Sequence, residues 1–113
     1  MPKATDRDKD RFRSLVPAVA GVEVKPMFGQ LGAFVNGNMF AGLLGSGIGV
    51  RVDEESRAEL ERMGAGAFGP EDRPMAGYLT LPETVGDVEA AAWVERARAH
   101  VATFPPKARK QKG

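Results

Sequence analysis

The run Gly45-Ser46-Gly47-Ile48-Gly49 has the small, hydroxyl-bearing composition of a loop that cradles phosphate. Such a loop must open onto a helix N-terminus and match either the dinucleotide fingerprint or the Walker spacing. The spacing here matches neither, and Ile48 to Val52 alternate as a strand. A glycine-rich hairpin turn is the expectation. His100 is the one histidine, and there is no cysteine. A nitrogen- or sulfur-ligated metal needs a larger donor set, and disulfides and a thiol nucleophile are excluded. Spacing from Ala97 and Val101 puts His100 on the solvent side of a helix. Most of the fifteen acidic residues have structural uses in view. Asp6 and Asp8 suit the start of one helix, and Asp53 and Glu54 the start of another. Glu59 and Glu61 lie within reach of Arg57 and Arg62 for surface pairs. A catalytic carboxyl pair needs pKa values pushed apart by burial or charge, and no spacing here supplies that. The expectation is no catalytic residue, no cofactor and no metal: the protein is not an enzyme.

Two stretches are suited to meeting a partner. Lys25-Pro26-Met27-Phe28-Gly29 reads either as a strand entering a turn, with Met27 and Phe28 in the core, or as a loop offering them to another protein. The tail after Pro106 carries Lys107, Arg109, Lys110 and Lys112 and no acid. The whole chain stands at +1, so residues 1–106 stand at −3. That is not the broad basic face of a DNA-binding domain. Contact with nucleic acid is expected to be weak, non-specific and confined to the tail.

These residues must be held by a single domain, residues 1–104 of the 113, followed by a basic, flexible tail at 105–113. The hydrophobic fraction of 42% allows a core without metal or disulfides. Thr5 to Val16 reads as a helix, with Thr5 and Asp8 arranged as a capping box and Phe12, Leu15 and Val16 on one face. Pro17 ends it. Val22 to Phe28 is extended, and Pro26 confines it to an edge strand or a lead-in segment. Asn36-Gly37 supplies a tight hairpin turn between 33–36 and 39–44. Asp53 caps a helix over 54–63, with Leu60 and Met63 toward the core and Gly64 after it. A short strand is expected at Ala67-Phe68 and a longer one at 75–81. Asp87 is expected to cap a last helix, 87–104, buried through Ala90, Val94, Ala97, Val101 and Phe104. Phe34, Phe40, Ile48, Val50, Val52 and Leu79 complete the expected core. The fold class is α+β: an antiparallel sheet with helices packed on it.

The order Lys25-Pro26-Met27-Phe28-Gly29, Gly32, then Val35-Asn36-Gly37-Asn38-Met39-Phe40-Ala41 resembles the N-terminal domain of the TfoX/Sxy family. Val50-Arg51-Val52-Asp53 before a helix is similar to the family's next element. Tyr78-Leu79-Thr80-Leu81-Pro82 before a helix bearing Trp93 is similar to its closing strand and helix. The resemblance spans about residues 12–101. It implies the order helix, three strands, helix, two strands, helix, related to secretion-chaperone-like folds. It also implies regulation of natural competence together with the cyclic-AMP receptor protein at certain promoters. Gln30 stands where the family often has a second glycine. Regulators of the family carry a further C-terminal domain, so a stand-alone N-terminal domain is the expectation here.

The expected function is therefore a protein-interaction module, an accessory factor in transcriptional, competence-type regulation. A nucleic-acid-associated protein using the tail is the alternative, and a small-molecule binder or enzyme of unknown type is another. The partner is expected to be another protein, with a homodimer compatible. The charged N-terminal stretch has no apolar segment of the secretory type, and the uncharged run 30–50 is broken by glycines and Asn36-Gly37-Asn38. No membrane association and a cytoplasmic location are expected.

Overall fold

The computed structural model describes residues 4–27, 30–69 and 75–106, with Met27 described in its backbone alone. Helix α1 spans Asp6–Leu15. Its start is a reciprocal box: the Thr5 hydroxyl accepts from the Asp8 N–H and the Asp8 carboxylate accepts from the Thr5 N–H, both at 3.0 Å. Two otherwise orphaned donors are thereby satisfied. Val16 is extended, as the residue before a proline must be. Phe12 and Leu15 face inward and are buried.

Four strands follow: β1 (Val22–Met27), β2 (Gln30–Val35), β3 (Asn38–Leu44) and β4 (Gly47–Val50). Helix α2 (Glu54–Arg62), the two-residue strands β5 (Gly66–Ala67) and β6 (Leu79–Thr80), and helix α3 (Asp87–Val101) complete the chain. All six strands form one antiparallel sheet in the order β1-β2-β3-β4-β6-β5. The fold is the α+β class read from the sequence, and the extended piece at 22–27 is its edge strand. Asn36 and Gly37 turn the β2–β3 hairpin with φ of 53° and 84°, the positive angles that match the twist of paired strands.

The register divides the sheet into two faces. Leu31, Leu43 and Ile48 align across β2, β3 and β4, as do Ala33, Ala41 and Val50. This inner face meets α3, whose Ala90, Trp93, Val94, Ala97 and Val101 are all buried. A bulge sets Met39, Phe40 and Ala41 against Ala33 and Phe34. The extra residue lets Phe40 and Ala41, adjacent in sequence, both reach zero exposure. The outer face carries a row of glycines instead: Gly32, Gly42 and Gly49 are aligned neighbours on β2, β3 and β4. Phe68 lies on two of them and is 2% exposed. A Cβ on Gly49 would stand 2.3 Å from the Phe68 ring, and one on Gly42 3.1 Å from it. The aromatic ring occupies the space that side chains would otherwise take.

Strand β1 is one edge of the sheet, and the two-residue β5 is the other. The Asn36 N–H bonds to the Gly21 carbonyl at 3.0 Å, and Val22 is opposite Val35. The alternation that follows turns the backbone groups of Glu23 and Lys25 toward β2 and those of Val22, Val24 and Pro26 outward. Pro26 has no N–H to offer, and the Val22 N–H is taken by the Val19 carbonyl. Val24 is left as the outward donor of this edge.

Several sequence expectations are corrected. Phe34 is half-buried, because its register sets it on the outer face beside Lys25, whose ammonium lies 5.0 Å from the ring centroid. Phe104 is also half-buried, since α3 ends at Val101 and the residue leaves the helical stripe. Met63 is 37% exposed: it is the C-cap of α2, ahead of Gly64 at φ 98°. The N-cap of α3 is Gly86, with no side-chain cap, and Asp87 instead pairs with Arg11 at 2.8 Å. Only Leu79–Thr80 of the expected 75–81 strand is laddered, since turns occupy the stretch before it. Gly66–Ala67 forms the short strand and Phe68 turns in to pack.

Replacing Gly49 by alanine is expected to destabilise the protein by about 2 kcal/mol through overpacking against Phe68. Phe68→Ala is expected to cost about 3 kcal/mol. The double variant should lose less than the two together, by at least about 1 kcal/mol, because removing the ring makes room for the methyl. Urea titrations of the four proteins give the coupling, and strict additivity would show that the ring is not seated on Gly49.

Candidate functional site

Lys25 and Pro26, the described part of the expected partner surface, are exposed on β1. The Lys25 ammonium bridges to Glu23 at 3.4 Å while lying over Phe34. The Met27 side chain, Phe28 and Gly29 lie outside the described residues, as do Lys107, Arg109, Lys110 and Lys112 of the tail. The glycine run at 45–49 is a hairpin turn and the start of β4, as its spacing indicates. The buried Gln30 side chain holds that turn by accepting from the Gly45 N–H.

The turn forms one wall of a cleft of about 410 Å³. Its floor is apolar, with Leu44, Ile48, Leu81 and Val85, and its rim carries Arg11, Ser46, Thr80 and Glu83. Arg11 is already engaged by Asp87. A shallower groove of similar volume runs between α2 and α3, lined by Asp53, Ser56, Arg96, His100 and Thr103. Here Arg96 bridges to Glu59 at 3.4 Å and lies over the Trp93 ring at 4.4 Å. Glu59 thus pairs across to α3 and not with Arg62, whereas Arg57 pairs with Glu61 at 3.4 Å as expected. His100 is half-buried, drawn against Phe104 at 5.1 Å in an edge-to-face contact, and not on the open solvent side. Among the described residues no three histidine or carboxylate groups stand close enough to hold a metal ion. Nor, among them, is any helix long and apolar enough to cross a membrane.

A third setting was not visible in the sequence. Val50 and Leu79 are cross-strand partners on the inner face, so Arg51 and Tyr78 come together at the end of the sheet. The Arg51 guanidinium lies 5.8 Å from the Tyr78 centroid and 4.9 Å from that of Phe104. The Tyr78 hydroxyl donates to the Met39 carbonyl at 2.9 Å. Burial raises the pKa of this phenol, and Arg51 opposes the rise only in part, first through a hydrogen bond and then through its charge. The hydroxyl is therefore a proton donor throughout the physiological range. The Asn38 amide donates to the Pro105 carbonyl at 3.0 Å, which fixes the chain leaving α3 against the same end of the sheet.

Asp53 lines the α2–α3 groove. Its pKa is lowered below the ordinary aspartate range, first by the backbone N–H of Ser56, which it accepts at 2.8 Å, then by the Ser56 side chain, with smaller help from the charges of His100 and Arg96. A depressed folded-state pKa means stability that is present above the ordinary aspartate value and lost as pH falls through the folded one. An acid titration of stability should show this component below about pH 4 in the native chain. The Asp53→Asn variant, which keeps a capping oxygen but no proton to gain, should lack it. Identical acid limbs would remove Asp53 from the pH response.

Comparison with known proteins adds the lineage. No curated protein matches the chain significantly. Residues 14–101 match the family described as the TfoX N-terminal domain. The matched span runs from the end of α1 to the end of α3 and takes in every strand of the sheet. The chain belongs to the TfoX N-terminal domain family.

Proposed function

We propose that the protein is a non-enzymatic interaction module that acts as an accessory factor in transcriptional regulation of the competence type. The observation that carries this reading is the family match over residues 14–101. Many of the described polar side chains support it: Thr5, Asp8 and Asp53 cap helices, Arg57–Glu61 and Arg98–Glu95 form surface pairs, and Gln30 holds a turn. The partner proposed is a protein, of the cyclic-AMP receptor protein type, met through the exposed Lys25-Pro26 edge. In a calorimetric titration the full chain should bind that receptor, and Lys25→Glu should weaken binding at least fivefold with no change in thermal stability. A chain that binds no receptor would end this reading.

A second reading, nucleic-acid association, is favoured by the four cations in the last seven residues. If each neutralises one phosphate, the salt slope for duplex DNA is about 3.6, and a fourfold rise in salt weakens binding by roughly a hundredfold. Residues 1–106, at −3, add repulsion. Anisotropy titrations should show weak, sequence-independent binding at low salt that disappears when residues 107–113 are deleted. Sequence-specific binding by the shortened chain at physiological salt would replace the protein-partner reading with direct DNA recognition by the fold.

A further inference from the structure

The cleft beside the β3–β4 turn is used by neither reading above. Main-chain bonds fix its walls. The Gln30 side chain holds the Gly45 N–H. The Leu81 N–H bonds to the Ile48 carbonyl at 2.8 Å, and the Val85 N–H to that of Pro82 at 3.1 Å. On the floor, Ile48, Leu81 and Val85 keep only 4%, 7% and 8% of their surface exposed. A preformed apolar cleft of about 410 Å³ has the size of a small-molecule site, in which a few polar groups decide what enters. Two of the four polar side chains on its rim are already engaged. The Thr80 hydroxyl donates to the Ala67 carbonyl at 2.8 Å. The Arg11 Nε donates to Asp87 at 2.8 Å, so its charge is met by an opposite one. The Ser46 hydroxyl can donate or accept and does not discriminate by sign. Glu83 is exposed and pairs with no cation among the described residues. The charge left over on the rim of the apolar floor is therefore one carboxylate.

We propose that this cleft is a binding site for a small organic monocation, with an apolar body seated on Ile48, Leu81 and Val85 and an ammonium group paired to Glu83. The choice of cation over anion follows from charge. An anion is opposed by Glu83, and the cation that could receive it, Arg11, is already held by Asp87. An uncharged body of the same shape gains the floor but not the carboxylate. Residues 1–106 sum to −3 and add to the same field. The apolar seat supplies most of the affinity, because a solvent-exposed ion pair contributes little. Glu83 supplies the choice of sign. The proposal is independent of the protein-partner reading, since it is tested with small molecules and no receptor.

The test uses the full chain and probes of one shape and different charge: phenylbutylamine, phenylbutanol and phenylbutyrate, at constant ionic strength. The methyl resonances of Ile48, Leu81 and Val85 should move saturably with the amine. The amine should bind about threefold more tightly than the alcohol, and the butyrate more weakly than the alcohol. Glu83→Gln should bring the amine and the alcohol to about the same affinity, and Glu83→Lys should place the butyrate ahead of the amine. The alcohol should bind both variants as it binds the native chain, which reports that the cleft is intact. Methyl resonances that do not move saturably with the amine overturn the proposal. So does a butyrate that binds the native chain as tightly as the amine does, and so does an amine whose advantage survives in Glu83→Lys. The methyl shifts and the order of the probes are read on the native protein, so a variant that fails to fold does not remove the test.

Discussion

The inner face of the sheet is buried under helix, and the middle of its outer face, at Gly32, Gly42 and Gly49, is buried as well. That constraint shapes the rest. The inner face is closed by α3, and the alanines at 33, 41, 90 and 97 keep the helix close to the strands. Among the described residues no helix lies on the outer face, and its middle is closed by subtraction. Glycines at three aligned positions lower the surface of the sheet, and the Phe68 ring settles into the depression. Glycine weakens a strand, since it has no side chain to pack and more backbone freedom to lose. Here the lost packing is returned by one aromatic residue from outside the strands.

The same economy places the polar groups. Tyr78 follows Phe68 onto the outer face, 6.2 Å away between centroids, and its hydroxyl satisfies the Met39 carbonyl beside the bulge. Arg51 is carried to Tyr78 because the two flank a single cross-strand pair. Phe104 joins them from the far side, since α3 ends one turn earlier than its apolar spacing suggests. The cation–aromatic group is thus a by-product of where the sheet stops and where the helix releases the chain. The Glu59–Arg96 bridge ties α2 to this framework through a polar contact, with Leu60 as its fully buried anchor.

Much of this was legible in the residues, for identifiable reasons. The Thr5–Asp8 box, the Asn36-Gly37 turn and the Asp53 cap are local: the chemistry that makes them lies within four residues of sequence. The inner-face core was legible through alternation in the strands and through helical spacing in α3. What sequence could not give was set by register. Phe34 looks like core by type, but its face is decided by which residue of β3 it opposes across a bulge. The neighbours of Arg51 come from positions 78 and 104, and nothing in the spacing of 51 announces them. The reach of α3 was overestimated because Phe104 continues the apolar period while Ala102 and Thr103 already turn out of the helix. The family resemblance was carried by the ordered glycines, prolines and aromatics, residues whose backbone and packing demands are strictest.

The edge at β1 has a consequence for how the surface can be read. A strand that adds to a sheet is held by main-chain bonds, which are nearly blind to sequence. Pro26 and the Val19–Val22 turn reduce the donors available for such bonds to one. This edge is therefore poorly suited to templating further copies or stray extended segments, even when crowded. Whatever settles against this side must distinguish it by the Lys25 ammonium, the Glu23 carboxylate and the proline ring. Discrimination here is thus written in side chains, where single substitutions can alter it without disturbing the ladder beneath.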